Sequence, residues 1–125
     1  MQRIAGFRAH STGARSTCAD SWFGEGGRDR SATVLAGNPA GIFACNDGLA
    51  EALIRYCRLH RCPLPALVGF DNAPIAEHLR LTTIGIPWRS LVAEAVKLVA
   101  TRLGGGTDAA RLGGLVHQPV LRLTT

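Results

Sequence analysis

Apolar residues in this chain fall into two kinds of pattern, short unbroken runs and longer stripes at helical spacing. Gly41-Ile42-Phe43-Ala44-Cys45 is one unbroken run and stops at Asn46-Asp47; Ala66-Leu67-Val68-Gly69-Phe70 is another and stops at Asp71-Asn72. Runs of this length without alternation are the mark of strands covered on both faces, as in a parallel sheet. Between them Leu49, Leu53, Ile54 and Cys57 recur at i, i+4, i+5 and i+8, which predicts a helix over residues 48–60 with one apolar stripe. Asn46 or Asp47 can cap that helix, because either side chain accepts the free amides of a first turn. Pro63 and Pro65 then lead into the second run. A strand, a helix and a second strand in this order are joined most simply as parallel neighbours by a right-handed crossover. Segments 40–45 and 66–70 are therefore expected as adjacent central strands. In such units ligands sit outside the carboxyl ends of the strands, where Asn46 and Asp71 fall.

The pattern continues with a short helix over residues 74–79 and a third strand over 81–86, closed by Pro87. Ser90 is a plausible N-cap for a helix running to Leu103, whose Leu91, Ala95, Leu98, Val99 and Arg102 share one face and which Gly104-Gly105-Gly106 ends. The tail, residues 115–123, reads as a strand, and Pro119 restricts it to an edge or a bulge. Residues 1–38 are the least legible part. Ile4-Ala5-Gly6-Phe7 suits a helix, Gly24, Gly26 and Gly27 are expected to interrupt any regular element, and a helical turn is expected near residues 31–36 before Gly37-Asn38-Pro39 turns the chain. The fold class that follows is α/β, a three-layer sandwich with a mostly parallel sheet.

Composition narrows the reading without changing it. The 125 residues suffice for one modest core, and a 46% hydrophobic content argues against general disorder. The net charge of +5, fourteen basic residues against nine acidic, raises nucleic acid as a partner, but the bases are scattered. Arg55, Arg58 and Arg61 stand at helical spacing and suit a solvated helix face at least as well as phosphate contacts. The four cysteines, Cys18, Cys45, Cys57 and Cys62, form no CxxC pair, and His60 beside the last two is too irregular a set for zinc. Reduced thiols, no metal and no cofactor are expected. No basic opening followed by an apolar segment appears, and no apolar run approaches membrane-spanning length, so a cytoplasmic, membrane-free protein is expected. No Ser-His-Asp order or phosphate loop is present; Gly24-x-Gly26-Gly27 follows no strand, and His10, His60, His78 and His117 lie far apart. Catalysis is not expected.

At this point the residues resemble the lactose- and galactose-repressor type of bacterial transcription regulators. Ile42-Phe43-Ala44-Cys45-Asn46-Asp47 looks like that family's strand ending in Asn-Asp before a helix. Val68-Gly69-Phe70-Asp71-Asn72 is similar to its Val-Gly-Phe-Asp-Asp/Asn signature. Leu81-Thr82-Thr83-Ile84 resembles the Leu-Thr-Thr segment that crosses back between lobes, and Arg3-Ile4-Ala5-Gly6-Phe7 its Arg-x-x-Gly-Phe element. Order and rough spacing agree from Arg3 to Thr125. The resemblance implies a Rossmann-like lobe of the periplasmic-binding-protein type over residues 1–86, with 1–38 shortened or weakly ordered, and a returning helix and C-terminal strand over 87–125. The family's helix-turn-helix and nearly all of its first lobe have no counterpart, so operator DNA would be bound only through an absent head.

The resemblance places Arg3, Trp22, Asn46 and Asp71 on effector-contact positions, and the set suits a sugar. Asp71 accepts hydroxyl protons, Asn46 donates and accepts, and Arg3 supplies a fork of donors. Trp22 offers a flat apolar face for a pyranose ring. Each has a plainer reading: Asn46 as a helix cap, Asp71 as a turn residue, Arg3 as a surface base, Trp22 as core filler. The chain also departs from the family. The Phe7-to-Trp22 segment is short, Ile86 stands where relatives often carry a polar effector-facing residue, and Glu51 takes a place where they often carry an apolar dimer contact. A weakened or rewired homodimer is the expected result. The leading function is thus effector sensing, with a sugar as small-molecule partner, in a DNA-binding regulator; the alternative is a fragment of a periplasmic-type sugar-binding protein for transport.

Overall fold

Three strands run parallel because helices carry the chain back between them, and a fourth closes the sheet in the opposite direction. The computed structural model describes residues 2–16, 24–106 and 114–124, and the side chains of 2–4 and 24–29 lie outside that description. In chain order the elements are α1 (Gln2–His10), α2 (Gly24–Ala36), β1 (Gly41–Phe43), α3 (Asp47–His60), β2 (Ala66–Asp71), α4 (Pro74–His78), β3 (Thr82–Gly85), α5 (Trp88–Leu103) and β4 (Gln118–Val120). The sheet order is β1-β2-β3-β4. Phe43 registers with Val68 and Val68 with Thr82 in the parallel pairs, and Ile84 registers with Pro119 in the antiparallel one. Pro119 sits in the outermost strand, where its missing N–H costs no ladder bond. β1 is also at an edge of the described sheet, so segment 40–45 is adjacent to 66–70 as expected but not central.

The core lies between the sheet and the α3/α4 layer. Leu67 and Leu81 are fully buried, among Ala44, Ala50, Leu53, Ile54 and Ala76, and Leu35, Ile42, Leu49, Leu64 and Leu79 pack around them. Burying each large apolar side chain contributes about 1.5–3 kcal/mol, which makes this cluster the main source of stability. On the other face Phe7 of α1 stacks on Phe43 at 5.6 Å between ring centroids, Phe43 meets the edge of Phe70 at 6.3 Å, and Phe70 meets His117 at 5.5 Å.

Two local expectations are corrected. The glycines of residues 24–27 do not interrupt structure, because α2 begins at Gly24 and runs unbroken to Ala36. Each interior glycine costs a helix about 1 kcal/mol. The packing of α2 along α3, with Leu35 against the core, outweighs that cost. Ser90 does not cap α5: Pro87 holds the N-cap position and Ser90 lies inside the first turn. A proline that closes β3 also starts the next helix, because its fixed φ suits both roles.

The chain's end is strapped across the amino side of the sheet. Leu67 donates its amide to the Thr124 carbonyl at 2.6 Å, Thr124 Oγ1 donates to the Leu67 carbonyl at 2.7 Å, and the Thr82 amide donates to Thr124 Oγ1 at 2.9 Å. By contrast, no residue of α5 is buried. Val92, Val96, Val99 and Leu103 are exposed along one side of it, Leu103 at 85%. Among the described residues no helix is long and apolar enough to cross a membrane.

Candidate functional site

Asn46 stands three residues beyond Phe43 and Asp71 three beyond Val68, and those two strand residues are in register. Neighbouring strands run roughly 4.8 Å apart, so the two polar residues leave the sheet at the same level on adjacent strands. Asn46 has extended backbone, and its Oδ1 accepts the Leu49 amide at 2.8 Å, the N-cap of α3. The side-chain oxygen caps the helix, and the amide group is the donor end of this buried side chain. Asp71 is half-buried with φ at 109°. That is a region glycine enters freely and a side chain enters only under constraint. Asn72 follows at φ 53° and turns the chain back over β3.

Asp47, next to the cap, faces inward. It is 1% exposed. Thr83 Oγ1 donates to its Oδ1 at 2.6 Å, and the Ala73 amide, at the start of α4, donates to its Oδ2 at 2.7 Å. The Asn72 amide reaches Thr83 Oγ1 at 3.4 Å. One carboxyl group thus joins α3, β3 and the loop carrying Asp71 and Asn72. The room for it comes from Gly69, where a Cβ would stand 2.2 Å from Asp47 Oδ1 and 2.9 Å from Leu81 Cδ2. From the other side Arg122 donates to Asn72 Oδ1 at 3.0 Å and to the Leu81 carbonyl at 2.8 Å.

Of the sequence-derived site residues, Asn46 and Asp71 are brought to one end of the sheet. Arg3 lies on α1, whose Phe7 packs on Phe43 near that end, but the Arg3 side chain is outside the described residues, and so is Trp22. Asp47, Thr83 and Arg122 were missed as supports of the site. The signal was available for Thr83, a hydroxyl predicted on a covered strand, since buried polar groups need partners. A hollow of about 360 Å³ lies elsewhere, at the amino end of the strands between Cys57, Arg61, Leu79 and Thr124. We place the candidate site at the carboxyl ends because strained and polar groups converge there, whereas the other hollow is open and has a mixed lining.

Comparison with known proteins bears on the fold that carries these residues. A family model described as a periplasmic binding protein-like domain matches residues 2–125. The chain is similar to the HTH-type transcriptional repressor PurR of Vibrio parahaemolyticus, 26% identical over 99% of this chain and 41% of the relative. It is similar to the HTH-type transcriptional regulator DegA of Bacillus subtilis, 37% identical over 81% of this chain and 32% of the relative. Among solved structures, a LacI family transcriptional regulator from Enterococcus faecalis with bound ribose superposes with a TM-score of 0.86 at 25% identity, covering 99% of this chain and 48% of that one. One from Arthrobacter, in complex with lactose, gives 0.70 at 28% identity over 84% and 43%. The chain spans about two fifths of the length of the first of these curated relatives.

Proposed function

Since the chain belongs to the periplasmic binding protein-like domain family, we propose that it is the effector-sensing lobe of a DNA-binding transcription regulator, with a sugar as effector. The observation that carries this reading is the pair Asn46 and Asp71 at one level on adjacent parallel strands, with Asp71 held at a backbone angle its side chain disfavours. Strain of that kind persists where surrounding bonds over-determine it and is concentrated at ligand clamps. The bonds through Asp47, Thr83 and Arg122 supply that constraint.

In this reading Asp71 accepts two sugar hydroxyls, the Asn46 amide donates to a third, Arg3 donates from α1, and Trp22 stacks on the ring. Residues 1–86 form the lobe, and the segment 87–125 leads out through Pro87 and back. The regulators with bound ribose and lactose support a sugar as the ligand class. The HTH-type relatives support operator DNA as a partner bound through another part of the whole protein. Effector binding would act by favouring one lobe arrangement over another, so that sugar and DNA affinities are coupled. A homodimer and a cytoplasmic location belong to the same proposal.

The test is a thermal-shift screen of the full-length gene product against sugars and nucleosides, run beside an operator-binding assay. The reading expects a sugar that raises the melting temperature and changes DNA affinity. A sugar that binds a protein with no DNA affinity under any condition would favour the transport-type alternative.

A further inference from the structure

Helix α3 has Asn46 as its N-cap at one end and a pair of cysteines in and just beyond its last turn at the other. Cys57 lies in the last turn, 4% exposed, and Cys62 follows the turn that ends the helix. Arg61 adopts the left-handed conformation, φ 52°, and its amide donates to the Cys57 carbonyl. The Cys62 amide donates to the same carbonyl at 3.1 Å. The Arg61 bond is that of the αL cap and the Cys62 bond is the 6→1 bond of the Schellman type, which folds the residue after the turn back onto the residue five before it. Such folding is compatible with the Cα separation of roughly 4.4–6.8 Å that a disulfide spans. Cys57 Sγ donates to the Pro63 carbonyl at 3.8 Å, which turns its thiol towards the residue that directly follows Cys62.

Both cysteines line the open hollow of about 360 Å³ at the amino end of the strands, together with Arg58, Arg61 and Thr124. Cys62 is partly accessible, while Cys57 is buried. Burial first, then the neighbouring Cys62 thiol, push the Cys57 thiol up to about 11, so Cys57 is a poor first nucleophile. The division of labour is therefore set by access: Cys62 meets a reagent, and Cys57 meets only Cys62. The two guanidinium groups at the rim attract small anionic reagents.

We propose that Cys57 and Cys62 form a thiol-modification site that closes to an intramolecular disulfide on reaction with an anionic low-molecular-weight disulfide of the glutathione type. The Cys62 thiolate attacks one sulfur of the small disulfide, forming a mixed disulfide and releasing one small thiolate, which takes up a proton. Cys57 then gives up its proton and attacks the Cys62 sulfur, forming the Cys57–Cys62 bond and expelling the second small thiol. The protein loses two electrons and two hydrogens, and the small disulfide gains them. The site is separate from the carboxyl-end site and does not rest on the effector reading.

The experiment incubates the native, fully reduced chain with glutathione disulfide, blocks remaining thiols and digests with trypsin. Arg55, Arg58 and Arg61 put the two cysteines on different peptides, so closure joins residues 56–58 to residues 62–80. The expected result is that joined peptide as the main product, lost again on reduction. In Cys57→Ser the mixed disulfide should instead persist on Cys62, and in Cys62→Ser residue 57 should remain unmodified over the same period. A stable mixed disulfide on Cys62 in the unsubstituted chain, joined peptides dominated by Cys18 or Cys45, or no reaction at Cys62 would each overturn the proposal.

Discussion

Asp71 at φ 109° is costly for an aspartate, and the cost offers a way to separate its roles. If the side chain serves a ligand, Asp71→Gly relieves the backbone strain, leaving stability unchanged or raised by about 1 kcal/mol, while sugar binding is lost. Urea denaturation and a sugar titration on the same sample check both halves. If Asp71 is only a turn residue, binding survives. Its neighbour in the site's support behaves oppositely. Asp47→Ala strands the Thr83 hydroxyl and the Ala73 amide in a buried place, and should cost about 2–6 kcal/mol in urea unfolding, since each orphaned polar group costs roughly 1–3 kcal/mol. Gly69→Ala drives a methyl into that same carboxyl group, and about 1–3 kcal/mol of destabilisation is expected. At this scale Asn46 and Asp71 were legible because each is the first polar residue after an apolar run. The inward turn of Asp47 was not. Either residue of an Asn-Asp pair can cap a helix, and only the tertiary fold decided that Asn46 caps while Asp47 reaches across to β3.

Helix α3 links residue chemistry to the fold, because its N-cap is also a candidate ligand contact. Asn46→Asp keeps an acceptor for the Leu49 amide and should change stability by no more than a few tenths of a kcal/mol, yet it removes the side-chain amide donor. Asn46→Ala should cost about 1 kcal/mol of stability through the lost cap. Weakened sugar binding in the aspartate variant at unchanged stability would assign the amide to the ligand; unchanged binding would reduce Asn46 to a cap. The strands and α3 were readable since their patterns are long, apolar and bounded by prolines or polar tips. Helix α2 was not, because its glycines oppose helix locally and its packing on α3 is a long-range effect. The start of α5 was misplaced by three residues for a similar reason. Ser90 is a good local cap, but Pro87 already fixes where β3 ends.

Over the whole molecule, the side of α5 bearing Val92, Val96, Val99 and Leu103 is exposed apolar surface, Val96 at 62% and Leu103 at 85%. A stripe of that kind on a helix with no buried residue favours association. Light scattering of the chain should show concentration-dependent oligomers, and Val96→Lys should shift them towards monomer; a strict monomer at high concentration would oppose this. The carboxyl ends of β1 and β2 are proposed as one wall of a sugar site. One wall buries little of a ligand, so affinity in this chain should be weak, in the millimolar range. The most direct measurement is an amide-resolved NMR titration of the chain with ribose and lactose. Shifts confined to residues 44–48 and 70–73 are expected, saturating only at millimolar sugar and absent in Asp71→Ala. Shifts gathered around Cys57, Arg61 and Thr124, or no shift with either sugar, would contradict the proposed sugar site.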